Sequence, residues 1–510
     1  MQCRERLRGS VLLPQAGVVK DLKEKTIRGG VARMAAQVAN FVLRIGSLMV
    51  LARMLSPRDF GLVGMVTAFT GVLNLFRDFG LSTATVQRAE VSEDQISTLF
   101  WINLAVGALL AVLAVALAPA VAAFYREPRL LWITAVLATS FLFNAAGVQH
   151  SAIVQRQMRF TALAVINTVS LIVSTAIAIA MAMWGYGYWA LVAMTIAGPL
   201  VSTAGLWMAV KWMPGMPRRR AGLRSMIRFG GTITLNGAVM YVAYNLEKVL
   251  LGRFWGAEAI GVYGRAYQLV NIPTDNLNSA VGEVAFSALS RVQDDPPRLK
   301  SYFLKGYSLV LALTLPITIV CAIFAREAIS VLLGPKWAEA VPIFRLLAPT
   351  ILIFAMINPF SWLLFAIGKV GRSLKIAFVI APLVIAGYLI GLPYGPKGVA
   401  LGYSVAMALW ILPHIAWCVH GTAISFWDVI ETLSRPLLSG VVASILPLIL
   451  ELIYGQQTSP LFRLIAGVTL FLGVYVLMLL YVMGQKAFYV NLIQGLRARP
   501  TVDEESMVPA

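Results

Sequence analysis

The chain predicts an all-α membrane protein of about fourteen transmembrane helices, arranged as two pseudo-symmetric six-helix lobes around a central cavity, with two more helices after them. Three observations carry that prediction. Only 13% of the 510 residues are charged while 59% are hydrophobic, about half the charged fraction of a soluble globular protein. The apolar residues come in runs of about 20 without strict alternation, which suits helical spans rather than barrel strands. Finally, a stretch near the N-terminus returns about 200 residues later.

Candidate spans cover 31–54, 60–84, 97–124, 130–153, 160–184, 187–212, 226–253, 259–286, 303–325, 339–366, 373–393, 397–419, 434–454 and 461–484. Gly and Pro mark the joints, as at Ser56-Pro57, Glu127-Pro128, Gly185-Tyr186-Gly187, Gly334-Pro335 and Gly395-Pro396. Pro119, Pro199, Pro316, Pro359, Pro382 and Pro413 fall inside runs, which membrane helices tolerate when neighbours satisfy the freed backbone. The expected organisation is a basic tail at 1–28, a first lobe at 29–213, a basic loop at 214–225 and a second lobe at 226–420. Two accessory helices at 421–485 and a tail at 486–510 complete it.

Lys and Arg gather on alternate loops, about 27 on one face against about 9 on the other. Cytoplasmic loops collect basic residues, so both termini are expected inside. The same bias accounts for the net charge of +19 without nucleic acid as a partner. Cys3, Cys321 and Cys418 stand far apart, and His150, His414 and His420 form no ligand cluster, so no disulfide, metal or cofactor is expected. The loops are too short for a soluble domain, which argues against an enzyme.

The repeat sets residues 51–64 (LARMLSPRDFGLVG) against 251–264 (LGRFWGAEAIGVYG) without a gap. Leu51, Arg53, Gly61 and Gly64 match Leu251, Arg253, Gly261 and Gly264, and Gly30 matches Gly230. An even number of spans separates the copies, so both enter the membrane from one side. That is the parallel-repeat arrangement, in which transporters place substrate at the repeat interface.

Polar residues inside these spans fall on stripes. In the first span Arg33, Gln37, Asn40, Arg44 and Ser47 share one helical face. The second carries Thr67, Thr70, Asn74 and Asp78, with Arg77 at the edge. The seventh carries Thr234, Tyr241, Asn245 and Lys248. The eighth carries Gln268, Asn271, Asp275 and Asn278, with Arg265 and Glu283 nearby. A charge deep in a span costs about 2.5–3.5 kcal/mol or more and marks a functional path by default. Arg44 has no acidic neighbour in its span and is the leading candidate. Arg33, Arg53 and Arg253 lie near span ends, where snorkelling to the interface is the plainer reading, and His150 reads as a packed polar residue. Arg33, Arg44, Arg77, Lys248 and Arg265 make a cationic cavity suited to a phosphorylated substrate, because guanidinium forks bond two oxygens at once. Gln37, Asn40, Asn74, Tyr241, Asn245, Gln268 and Asn271 would line it for hydroxyl-rich sugars.

The segment from Leu51-Ala52-Arg53-Met54-Leu55-Ser56-Pro57-Arg58-Asp59-Phe60-Gly61-Leu62 through Phe76-Arg77-Asp78-Phe79-Gly80-Leu81-Ser82 and Val86-Gln87-Arg88 resembles the polysaccharide-transporter family of Wzx-type oligosaccharide flippases. The likeness is to its WzxC/ExoT-like branch, and Phe124-Tyr125-Arg126-Glu127-Pro128 and Gln155-Arg156-Gln157-Met158-Arg159-Phe160 extend it. The resemblance implies twelve core helices in two lobes and alternating access in a bacterial inner membrane. The implied cargo is an undecaprenyl-diphosphate-linked oligosaccharide for exopolysaccharide, capsule or lipopolysaccharide synthesis. Membrane lipids, a polysaccharide polymerase and a chain-length regulator are the implied partners. Arg33, Arg44 and Arg77 carry over as diphosphate contacts, whereas Lys248 and Arg265 rest on the stripes alone. Two rivals stay open. One is a cation-coupled multidrug extruder using Asp78, Asp275 or Glu283 as its coupling carboxylate, and the other is a membrane glycan polymerase or ligase.

Overall fold

The computed structural model describes residues 39–77, 82, 85, 91–217, 224–454, 459–487, 489 and 490, without side chains for 224–240 and a few later positions. The regular structure of the described residues is helical. Nine of their helical segments are long and apolar enough to cross a membrane.

The described residues group into two compact units. The first draws on Met1–Tyr267, Leu332–Ile343 and Leu374–Ala406, and the second on Gln268–Val331, Phe344–Ser373 and Met407–Ala510.

The first unit begins with α1 (residues 39–54) and α2 (Pro57–Leu75). The predicted joint between them is a capping box. Asp59 accepts from the Ser56 amide at 2.9 Å and from its hydroxyl at 2.6 Å, satisfying donors that a helix start leaves open. Four helices follow: α3 (Glu93–Tyr125), α4 (Arg129–Arg156), α5 (Phe160–Met183) and α6 (Tyr188–Ala209). Here α3 lies along α4 and α5 along α6. His150, read from sequence as a packed polar residue, is fully buried and stacks on Trp207 with centroids 4.5 Å apart. Its Nε2 lies 3.3 Å from the Trp212 carbonyl.

The spans predicted at 226–253 and 259–286 form one helical stretch, α7 (Arg224–Arg291), broken at Gly256. Gly256 has φ 82° and ψ −174°, a conformation open to glycine and costly for other residues. The two arms therefore turn where the sequence places a joint.

Leu374–Ala406, most of two later helices, completes this unit. Helices α12 (Val370–Gly391) and α13 (Gly395–Val419) follow the intervening elements named below. They cross on Gly387 and Gly391 of one and Gly398 and Gly402 of the other. A Cβ at any of the four would meet a backbone carbonyl of the facing helix or the backbone beside it. Each helix thus offers a small-xxx-small stripe, the pattern that lets membrane helices approach closely.

The second unit holds α8 (Pro296–Ile323), nearly all of the short α9 (Ala325–Leu332), the end of α10 (Ala340–Leu347) and α11 (Pro349–Ala366), while the 3₁₀ turn at Pro335–Trp337 and the start of α10 belong to the first. The stretch expected as a plain loop between 325 and 339 is therefore largely helical. The span predicted at 339–366 divides where Pro349 opens a new helix, because proline lacks the amide that an unbroken helix would use.

The two accessory helices are α14 (Phe426–Tyr454) and α15 (Pro460–Leu477), the latter tightening into a π turn at Met478–Val482. Ala312 and Leu315 of α8 meet Ala443, Phe471 and Tyr475 in a buried cluster, and the Tyr475 hydroxyl donates to the Ala312 carbonyl at 3.0 Å. Arg463 pairs with the 2% exposed Glu327 at 3.3 Å. Their outer faces keep apolar residues exposed, such as Leu438, Val441 and Ile465, as lipid-facing helices do.

Candidate substrate path

In the first unit the two copies of the repeat lie against each other reciprocally. A Cβ on Gly61 of α2 would run into the Ala257 carbonyl of α7, and one on Gly261 would run into the Pro57 carbonyl. With a shift of 200, Pro57 corresponds to Ala257 and Gly61 to Gly261. Each copy therefore presents its glycine to the other's helix start, as in an isologous contact. Only hydrogen at both positions allows the two backbones this approach.

Aromatic and basic residues surround the contact. Phe60 carries the Trp337 ring at 5.4 Å on one side and the Arg265 guanidinium at 4.5 Å, a cation–π distance. Trp337 is fully buried, and its indole donates to the Ala52 carbonyl at 2.8 Å. Lys336 donates to the Arg53 carbonyl at 3.3 Å. These two donors satisfy carbonyls that the end of α1 would leave open. Arg253, expected as a boundary anchor, lies over the Phe124 ring at 5.6 Å.

Farther along α7, the predicted stripe forms a ladder. Asn245 donates to the Tyr241 carbonyl at 2.9 Å, and Lys248 donates to Asn245 Oδ1 at 2.6 Å. Lys248 thus turns to its own stripe rather than to Glu247. The Tyr241 hydroxyl abuts α2 at Gly71, so this stripe reaches the turn between Thr70 and Asn74. On α2, Thr67, Thr70 and Asn74 bond back to Gly64, Val66 and Thr70 carbonyls of their own helix.

Other candidates are placed one by one. Arg44 is exposed on α1, and its side chain makes no hydrogen bond or ion pair with any described residue. Asn40 and Arg77 are half-buried and Asn74 is exposed. Gln268, Asn271 and Asp275 belong to the second unit, where Gln268 and Asp275 are exposed and Asn271 is half-buried. Arg33, Gln37 and Asp78 lie outside the described residues, as does the side chain of Glu283.

One residue had no place among the candidates. Glu247 is fully buried in the first unit, and neither carboxylate oxygen accepts a hydrogen bond from a described residue. Tyr241, Tyr263 and Tyr388 lie within electrostatic reach of it. Tyr388 stacks on Tyr403 at 5.5 Å, and both are buried. Among the described residues the other fully buried carboxylate, Glu327, has Arg463. An acid in an apolar span was a visible signal, and its neighbour Lys248 points to a different face of the helix.

Residues 50–342 match the model of a family described as "Polysaccharide biosynthesis protein". The chain is 27% identical over 398 residues to the lipopolysaccharide biosynthesis protein WzxC of Escherichia coli (strain K12), covering 76% of this chain and 80% of the relative. It is 24% identical over 476 residues to the succinoglycan biosynthesis transport protein ExoT of Rhizobium meliloti (strain 1021), covering 91% and 94%. Among solved structures, the lipid II flippase MurJ in its inward closed conformation matches with a TM-score of 0.72 at 14% identity. That match covers 92% of this chain and all of the other, and it shows a shared fold.

Proposed function

The chain belongs to the polysaccharide biosynthesis protein family, and from that premise we propose that it flips undecaprenyl-diphosphate-linked oligosaccharide repeat units across the bacterial inner membrane for surface or exported polysaccharide synthesis. The printed roles of its relatives in lipopolysaccharide and succinoglycan synthesis support the polymer pathway, and the transport role of the second supports movement of cargo. The termini are cytoplasmic in this reading, and lobes at 29–213 and 226–420 rock to alternate access. A polymerase and a chain-length regulator receive the delivered units.

The observation that carries the reading is Arg44, a cation on an apolar helix with no partner among the described residues. A guanidinium in that setting is stabilised by an anion that arrives with the substrate, and a diphosphate matches its fork. Arg33 and Arg77 extend the positive field, while Lys248 and Arg265 act from the second copy. Tyr241, Asn245, Gln37, Asn40, Asn74, Gln268 and Asn271 offer donors and acceptors to sugar hydroxyls. Glu247 joins Asp78, Asp275 and Glu283 as a carboxylate available for ion coupling. The reciprocal glycine contact closes the outer end of the path. Nothing in the reaction requires a bond to be made or broken, so the protein acts as a transporter rather than an enzyme.

The test is export-dependent polymer in a strain that depends on this protein. Arg44→Ala should cut polymer about tenfold or more, the worth of one charge-assisted contact of 1.5–3 kcal/mol, and Arg44→Lys should retain part of it. Normal polymer from the Ala variant at wild-type protein levels would remove Arg44 from the mechanism.

A further inference from the structure

A cavity of about 260 Å³ opens in the second unit where α8, α14 and the end of the π turn meet. Its walls are Leu304, Lys305 and Ser308 of α8, Asp428, Glu431, Thr432 and Arg435 of α14, and Gln485. All three helical segments change character at this level. No charged residue follows Lys305 in α8, none lies between Arg435 and Glu451 in α14, and none lies between Arg463 and Lys486. The cavity therefore sits where charged helix ends give way to membrane-spanning stretches, at head-group depth.

The charges around it are not balanced. Lys300 pairs with Asp428 at 2.7 Å and Arg435 with Glu431 at 3.3 Å. Lys305 is exposed and makes no ion pair with any described residue. With Asp428 taken up by Lys300 from outside the walls, one positive charge is left over beside hydroxyl and amide groups from Ser308, Thr432 and Gln485. Past Arg435, α14 presents Leu438, Val441 and Ile445, each more than half exposed, as an apolar strip. The combination is a niche with one unpaired cation on its wall, large enough for a head group and joined to a track for hydrocarbon.

We propose that this cavity holds the head group of an anionic phospholipid. Its phosphate lies at Lys305 and Arg435, and its acyl chains run along the exposed face of α14. The head group's own hydroxyls meet Thr432, Gln485 and Glu431, which makes a phosphoglycerol head the best chemical fit. The site lies in the unit that contains the accessory helices and requires only that the chain spans a bilayer, whatever its cargo.

Native mass spectrometry of the full-length protein, released from vesicles containing equal phosphatidylglycerol and phosphatidylethanolamine, tests it. The wild type should retain phosphatidylglycerol in preference. Lys305→Ala should weaken that retention about fivefold, the effect of one basic residue at a membrane surface, and Lys305→Arg should restore it. Arg298→Ala, at an exposed position outside the cavity walls, should leave retention unchanged. Equal retention of both lipids, or of phosphatidylglycerol by wild type and Lys305→Ala, would overturn the proposal. So would binding of glycerol phosphate as tight as that of the lipid, which would make the niche a soluble-anion site.

Discussion

Gly61→Val and Gly261→Val are each expected to reduce export-dependent polymer at least about fivefold while the protein still reaches the membrane. The reason is local. At Gly61 the added carbon would occupy the position of the Ala257 carbonyl, and at Gly261 that of the Pro57 carbonyl. Backbone cannot swing aside as the end of a long side chain can, so the two helices must separate. Overpacking of that kind costs about 1–3 kcal/mol, which shifts a two-state equilibrium about 5- to 150-fold away from the state that contains the contact. Gly46→Val is the matched control, since a Cβ there meets nothing within 4 Å. Cysteines placed at exposed Arg58 and Glu258 and reacted with a thiol reagent would report whether this end has opened. Wild-type polymer from both valine variants would mean that the reciprocal contact has no part in transport.

Glu327→Met is expected to lower the thermal stability of the purified protein, by about 2–3 kcal/mol in unfolding free energy. Removing one member of a buried ion pair typically costs 3–5 kcal/mol. The smaller figure applies because the Arg463 side chain keeps 20% of its exposure while that of Glu327 keeps 2%. The double variant Glu327→Met, Arg463→Met should recover most of the loss, since apolar replacement of a whole buried pair is often neutral. If the double variant is as unstable as the single one, the pair acts through more than charge. Intrinsic tryptophan fluorescence during heating in detergent reads the result.

Much of the fold was legible because lipid leaves the chain few choices. Apolar runs of spanning length, punctuated by Gly and Pro, located most helices to within a few residues, and Gly256 breaks α7 inside the expected joint. The repeat register was readable as well: it sets Pro57 on Ala257 and Gly61 on Gly261, and the contact crosses those pairs, Gly61 meeting Ala257 and Gly261 meeting Pro57. What one helix does to itself could be anticipated from spacing, as in the Tyr241, Asn245 and Lys248 ladder.

Contacts made across the chain could not be anticipated. Trp337 reaches the Ala52 carbonyl from 285 residues away, and nothing in Gly334-Pro335-Lys336-Trp337 announces that partner. Likewise α9 is only eight residues long, and it holds Glu327 against a helix near the other end of the chain. Glu247 was visible as an acid in an apolar run. That neither of its oxygens accepts a hydrogen bond from a described residue depends on packing across the fold, where Tyr388 reaches it from a distant segment.

The central claim is that this protein carries a lipid-linked oligosaccharide between leaflets. Purified protein in proteoliposomes, loaded with a fluorescent undecaprenyl-diphosphate oligosaccharide, allows the labelled head group in the outer leaflet to be quenched by an added impermeant reagent. Active protein should let all of the label be quenched with time, whereas protein-free vesicles should stop at about the half already outside and Arg44→Ala should lag well behind wild type. A protected half that persists with folded wild-type protein and an imposed ion gradient of either sign, while a cationic dye is moved, would contradict the account and favour an extruder.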